Sequence, residues 1–172
     1  PAMPDTKAQS VVELGTPRQA NIHLRGNFLT KGEAVVTDGL DVLPEVTAGG
    51  DKLTRLDLAK WTVAEENPLT ARVTINRVWQ RYFGRGIVAT SDDFGTQGAE
   101  PTHPGLLDWL AIEFRANNWS LKELHRLILN SAVYQQRSAH RAELAEVDPD
   151  NELLARQYRS RVEAEIIRDL AL

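Results

Sequence analysis

Asn67-Pro68-Leu69-Thr70-Ala71-Arg72-Val73-Thr74-Ile75-Asn76-Arg77-Val78-Trp79-Gln80-Arg81-Tyr82-Phe83-Gly84 is the stretch that decides the fold class. Ala71, Ile75, Val78, Trp79, Tyr82 and Phe83 recur at intervals of three and four, which puts them on one face of an α-helix. The flanks agree with that period. Asn67 followed by Pro68 reads as an N-cap with proline in the first turn. Gly84 stands where a helix ends in a left-handed residue.

The same reading extends toward the C-terminus. Pro104 opens a helix whose Leu106, Leu107, Trp109, Leu110, Ile112 and Phe114 cover more than one face, the pattern of a central helix. Ser120 with Glu123 forms a capping box for a helix running to about Gln135. Asp148-Pro149 starts a short helix, and Ser160 with Glu163 caps another carrying Val162, Ile166, Ile167 and Leu170. Upstream, Asp51 is placed to cap a helix through about Trp61 that presents Leu53, Leu56 and Leu58.

Before Gly49-Gly50 the character changes. Ala20, Ile22 and Leu24 alternate with Asn21, His23 and Arg25, the period-2 pattern of a strand. Gly26-Asn27 marks a turn, Val35-Val36 a second short strand, and Asp38-Gly39 a further turn. The expected fold is therefore mainly α. Residues 1–50 form an N-terminal arm or linker with one or two short strands, and residues 51–172 a bundle of about six helices. Pro1-Ala2-Met3-Pro4 reads as linker. Leu170-Ala171-Leu172 stops inside an apolar-periodic helix, as expected of a domain truncated at its C-terminal end.

Composition narrows the function classes. With 42% hydrophobic residues, a chain of 172 can bury a core without metal or disulfide staples. Twenty basic residues are outnumbered by 24 acidic ones, for a net charge of −4, which argues against nucleic acid as a partner. The absence of cysteine excludes thiolate metal sites, covalent haem attachment and cysteine catalysis. No apolar run reaches the length of a membrane span.

The densest chemistry lies in Ser91-Asp92-Asp93-Phe94-Gly95-Thr96-Gln97-Gly98 and Pro101-Thr102-His103-Pro104. An Asp that orients a His makes a general base, so Asp93 and His103 are candidate catalytic residues. Arg77 joins them because carboxylates of the following loop can reach it. The alternative is capping, with Asp93 closing a turn and Thr102 or His103 preceding a helix start. Asp93-Phe94-Gly95 spells a kinase tripeptide, but no glycine-rich phosphate loop or His-Arg-Asp segment accompanies it. Asp92-Asp93 lacks the ligand spacing of a calcium loop.

Arg72, Asn76 and Gln80 form an i, i+4 row that can bind an anion or pair internally. Arg72, Asn76 and Asp92 are accordingly candidate binding residues, and no metal site is expected. His125 sits on an apolar stripe, as a satisfied core histidine does. Trp109 and Trp119 have the spacing of core residues, with a sugar platform as the alternative.

Taken together, Asn67-Pro68-Leu69-Thr70-Ala71-Arg72-Val73, Asn76-Arg77-Val78-Trp79 and Phe83-Gly84-Arg85-Gly86-Ile87-Val88 resemble the planctomycete domain of unknown function numbered fifteen-fifty-three. Asp93-Phe94-Gly95, Thr102-His103-Pro104, Leu106-Leu107-Asp108-Trp109-Leu110-Ala111 and Trp119-Ser120-Leu121-Lys122 continue the likeness. So do Leu124-His125-Arg126-Leu127-Ile128, Asp148-Pro149-Asp150-Asn151, Glu163-Ala164-Glu165 and Arg168-Asp169, over about residues 18–170. Gly105 departs from the pattern, where a glutamate is usual.

The resemblance implies a C-terminal domain of a large exported protein, often carrying a cytochrome c domain, and hence a periplasmic or extracellular location. It carries over no catalytic residue. Two functional readings follow. One is a non-catalytic structural or interaction module without a cofactor, partnered by other domains of its parent, a glycan or a protein. The other is a hydrolase-type enzyme, or half of one, acting on polysaccharide-like substrates through Asp93, His103 and Arg77.

Overall fold

In the computed structural model, residues 9–16 and 18–171 are described. Pro1-Ala2-Met3-Pro4 and Leu172, read above as linker and truncated helix end, lie outside them. The fold is mainly α with a small β arm, and the chain divides into two compact units between Asn67 and Pro68.

In the first unit, β1 (Ala20–His23) pairs antiparallel with β2 (Lys31–Val35), in the register Ala20↔Val35 and Asn21↔Ala34. An irregularity between Asn21 and His23 shifts the pairing to His23↔Lys31. The turn passes through Arg25 (φ 53°) and Gly26 (φ 74°) in the left-handed region. The second strand thus starts at Lys31 and ends at Val35, earlier than the Val35-Val36 pair implies. Ile22 and Leu24 are half exposed, so the alternation marks a strand without marking a buried face.

Helix α1 spans Arg55–Thr62, and its cap is Thr54, not Asp51. The Thr54 hydroxyl accepts from the Asp57 N–H, while the Asp57 carboxylate accepts from the Thr54 N–H at 2.9 Å. Gly49 donates a further N–H to Asp57 at 3.1 Å. The Thr54 hydroxyl also donates to the Asp57 carboxylate at 2.6 Å, and this bond foremost, with those from the Thr54 and Gly49 N–H groups, holds the Asp57 carboxyl below its ordinary pKa. Asp57 is buried, whereas Leu56 and Leu58, expected on the inner face, are exposed. The helix is set by its capping box more than by an apolar stripe.

The second unit holds the core. Helix α2 (Thr70–Phe83) buries Ala71, Ile75, Asn76, Trp79 and Phe83, and ends at Gly84 with φ 78°. Regular helix begins at Thr70, beyond the Asn67-Pro68 start signal. Helix α3 (Pro104–Ala116) has proline in its first turn, packs on α2, and buries Leu107, Leu110, Ala111 and Phe114. Trp109 and Ile112 are about half exposed, so α3 flanks the core instead of running through its centre. Helix α4 (Leu121–Leu129) adds Leu124 and Ile128, capped by Ser120, which accepts from the Glu123 N–H.

The expected helix from Ser120 to Gln135 is broken at Asn130-Ser131. Ser131 caps a separate short helix, α5 (Ala132–Gln135), by accepting from the Tyr134 N–H. Beyond it, α6 (Ala142–Ala145) precedes Asp148. No helix starts at Asp148-Pro149, because the Asp148 carboxylate closes a turn onto the Glu152 and Leu153 N–H groups. Helix α7 (Ala164–Leu170) has no side-chain cap; Ile166, Ile167 and Leu170 stand exposed on it, and Val162, expected on the same face, is exposed ahead of its start.

Ile75, Trp79, Phe83, Leu107, Leu110, Phe114, Leu124 and Ile128 form the cluster into which Ile87 and Val88 of the α2–α3 connection are inserted. Trp79 stacks on Phe83 with ring centroids 4.2 Å apart, and Trp119 meets Phe114 edge-on at 5.3 Å.

Candidate functional site

The connection between α2 and α3 contains Asp92, Asp93 and His103, half of the candidate residues, and its path is fixed by backbone chemistry. Gly84 leaves α2 in the left-handed conformation, and the next turn brings Ile87 and Val88 into the core. Val88 cannot pair its backbone in a helix or sheet there, so Asn76 does it. Its carboxamide donates to the Val88 carbonyl at 2.9 Å and accepts from the Val88 N–H at 2.8 Å. Both residues are shielded from solvent, so neither bond has water as a substitute. Gly86 makes room for this clamp: a Cβ there would lie 2.5 Å from the Val88 oxygen and 2.6 Å from the Asn76 amide nitrogen. Asn76, a candidate binding residue, is thus a structural clamp.

The rest of the loop is tied in the same manner. The Thr102 N–H donates to the Ile87 carbonyl at 2.9 Å. The Thr90 hydroxyl donates to the Asp93 carbonyl at 2.7 Å and accepts from the Ala99 N–H at 2.9 Å. The Asp93 carboxylate accepts from the Gly95 N–H at 2.8 Å, closing an Asx turn. Gly98 approaches so closely that a Cβ would lie 2.2 Å from the Asp93 carbonyl oxygen. Phe94 packs on the core and anchors the middle of the loop.

The three candidate catalytic residues turn to different partners. Asp93 turns to Gly95. His103, partly buried at the start of α3, shares a hydrogen bond between Nδ1 and the Thr102 hydroxyl at 3.0 Å. Arg77 reaches the carboxylate of Asp92, not Asp93, at 3.2 Å, and this pair is largely exposed. Arg72 is paired with Asp108 of α3 at 2.7 Å and donates to the Pro68 carbonyl at 2.6 Å.

His125 shares a 2.7 Å hydrogen bond with the Tyr82 hydroxyl and is half-buried. Burial raises the Tyr82 pKa, with a smaller contribution from Tyr134. Trp109 and Trp119 do not form a common platform in kind: Trp119 packs on Phe114, while Trp109 faces outward.

Among the described residues, no three His, Asp or Glu side chains are grouped so as to hold a metal ion. No helix among them is long and apolar enough to cross a membrane. Sequence reasoning missed the partnership of Asn76, Gly86 and Val88, whose one visible signal is an asparagine bordering the apolar arc of α2. It also missed a second clamp, in which Asn151 bonds both backbone groups of Arg156.

No curated protein and no solved structure matches the chain. A family model described as PSD1, protein of unknown function (DUF1553), matches residues 54–172, from the cap of α1 through α7. That match spans well over half the chain and includes the α2–α3 loop with its asparagine clamp, and so the protein belongs to the PSD1 family.

Proposed function

We propose that this chain is a non-catalytic structural or interaction module of an exported, multidomain planctomycete protein. It acts in the periplasm or outside the cell, without a cofactor of its own. Its partners are other domains of the parent, a cytochrome c domain among them where the parent carries one, or a glycan or protein ligand. The observation that carries the reading is the bonding of the α2–α3 loop. Asn76, Asp93 and Thr102 serve its backbone, and Arg72 ties α2 to α3. These bonds give Asp93 and Thr102 a part in holding the loop's own backbone, which supports a structural role for them.

The test is to assay the parent protein against a panel of polysaccharides and chromogenic glycosides, beside its Asp93→Ala and His103→Ala variants. The reading expects any activity of the parent to survive both changes, with Asp93→Ala costing about 1 kcal/mol of stability through the lost turn bond. Hydrolysis abolished by both substitutions, in variants whose circular dichroism and melting are unchanged, overturns the module reading in favour of a hydrolase. Fractionation of the producing cells tests the location, which a cytoplasmic parent would refute.

A further inference from the structure

Away from the α2–α3 loop, the second unit contains a cavity of about 250 Å³ between the segment that enters α6 and the turn that follows it. His140, Arg141, Leu144, Asp148, Pro149 and Arg156 are among the residues that line it. Two features make this more than a surface dimple. The first is how firmly the turn is built. Asp148 accepts the Glu152 and Leu153 N–H groups at 2.7 and 2.9 Å. Asn151, in the left-handed region at φ 56°, donates to the Arg156 carbonyl at 2.9 Å and accepts from the Arg156 N–H at 3.1 Å. The backbone of Arg156 is therefore held by the Asn151 side chain, to which its own guanidinium makes no hydrogen bond.

The second feature is charge. Both oxygens of Asp148, the carboxylate lining the cavity, are engaged by backbone N–H groups. Arg141 is partly neutralised by an exposed pair with Glu143 at 3.1 Å. Among the described residues, the Arg156 guanidinium has no hydrogen bond or ion pair. An arginine with a fixed backbone and an unpaired guanidinium in a concave site suits a planar oxyanion, because its fork of N–H groups matches a carboxylate. Leu144 and Pro149 give the walls an apolar component, suited to the C–H face of a small ring. The volume lies below the range typical of drug-sized ligands, which restricts the occupant to something near a single sugar or amino acid.

We propose that this cavity binds a small organic carboxylate of hexuronate size. Arg156 grips the carboxylate, Arg141 and His140 supply further N–H donors, and Leu144 with Pro149 meet the body of the ligand. The assignment stands independently of the module reading above, since it uses none of the α2–α3 loop.

The experiment titrates the full chain with glucuronate by NMR. Glucose serves as the neutral control, inorganic phosphate as the non-planar anion, and a uronate-terminated oligosaccharide as the chain-end form. Saturable glucuronate binding with perturbed resonances at Arg156 and Leu144 is expected, and glucose should cause none. Arg156→Ala should weaken glucuronate about tenfold or more, the usual effect of removing a charge-assisted bond. Arg156→Lys should recover only part of it. Arg156→Ala leaves the Asn151 clamp intact; should it nonetheless unfold the turn, Arg141→Ala, which lies outside that clamp, gives the same reading through a smaller loss. Oligosaccharide binding tighter than free glucuronate assigns the site to a glycan end, and the reverse assigns it to the free acid; both uphold the carboxylate. Failure of glucuronate to bind, equal binding by wild type and Arg156→Ala, or phosphate binding as tightly as glucuronate overturns the proposal.

Discussion

Replacing Asn76 by alanine should destabilise the second unit more than any other single change to the polar residues of α2. The side chain is fully buried, and its amide satisfies the carbonyl and the N–H of Val88, itself 2% exposed. Removing it strands two backbone groups, each costing about 1–3 kcal/mol when buried without a partner. The sum is roughly 2–6 kcal/mol, a large fraction of the ~5–15 kcal/mol that holds a typical domain folded. Gln80→Ala is the control. That side chain is exposed and loses one bond, from the Ser91 hydroxyl at 2.9 Å, so its cost should stay under about 1 kcal/mol. Urea unfolding followed by circular dichroism gives both values, and exchange of the Val88 amide reports the clamp directly.

The isosteric Asn76→Asp separates the clamp from mere volume. Its carboxylate still accepts from the Val88 N–H but now faces the Val88 carbonyl with no proton to donate. Burial and that repulsion raise its folded pKa above the unfolded value of about 3.9. The deficit is therefore complete above the folded pKa and shrinks as pH falls through it toward about 3.9. If Asn76→Ala lies within about 1 kcal/mol of wild type, or Val88 exchange is unchanged, the clamp does not hold the loop.

Three further outcomes follow from other contacts. Gly86→Ala should cost more stability than Gly84→Ala in thermal melts. The Gly86 Cβ would meet the Val88 carbonyl and the Asn76 clamp, whereas at Gly84 the obstacle is the Tyr158 ring, 46% exposed and able to swing aside. What remains at Gly84 is the left-handed backbone, about 1–2 kcal/mol, which Tyr158→Ala should not relieve. Asp57 should give the first unit an acid-sensitive component. Its carboxyl is held below the ordinary value of 3.8, so its stabilisation is complete above that value and lost as pH falls through the lowered one. Asp57→Ala should abolish that component in melts taken from neutral to acid pH. Arg77→Ala should move the melting point little, within about 0.5 kcal/mol, because its pair with Asp92 is exposed.

The parts of the fold legible in the sequence are those set by local chemistry. Gly84 marks the end of α2, Pro104 the first turn of α3 and Ser120 the cap of α4, each through backbone geometry or bonds within a few residues. Misplaced features were decided by competition or by distance. Asp51 and Thr54 both have capping side chains, and Thr54 prevails because Asp57 completes a reciprocal box, with aspartate where the usual signature has Glu or Gln. Ser131 interrupts a pattern that is helical on both sides, because its hydroxyl caps Tyr134 and donates to the Ile128 carbonyl. Asn76 reads as part of a polar row with Arg72 and Gln80. At 100° per residue, however, it lies only roughly 20° beyond Phe83, on the edge of the buried arc. Its Val88 partner is twelve residues away, a pairing that no periodicity reveals. The candidate site residues were legible as polar groups on α2 and in the loop after it, but their bonding directions were not.

The two asparagine clamps use one device to different ends. Each lends its amide to both backbone groups of a residue further along the chain, as a neighbouring strand would. Around Asn76 the clamped residue is apolar and its side chain completes the core, so opening the clamp exposes core to water. Around Asn151 the clamped residue is Arg156, the clamp is only partly buried, and the held side chain lines a cavity. The first arrangement makes rigidity a condition of folding. The second fixes a backbone and leaves a charged side chain available, and water can take the place of its amide at a small cost in stability. Asn151→Ala should therefore cost only about 1–2 kcal/mol, chiefly for an alanine held at the left-handed φ of 56°, while weakening glucuronate binding, because the arginine loses its fixed backbone. A large drop in melting point with binding intact would assign Asn151 the same structural role as Asn76.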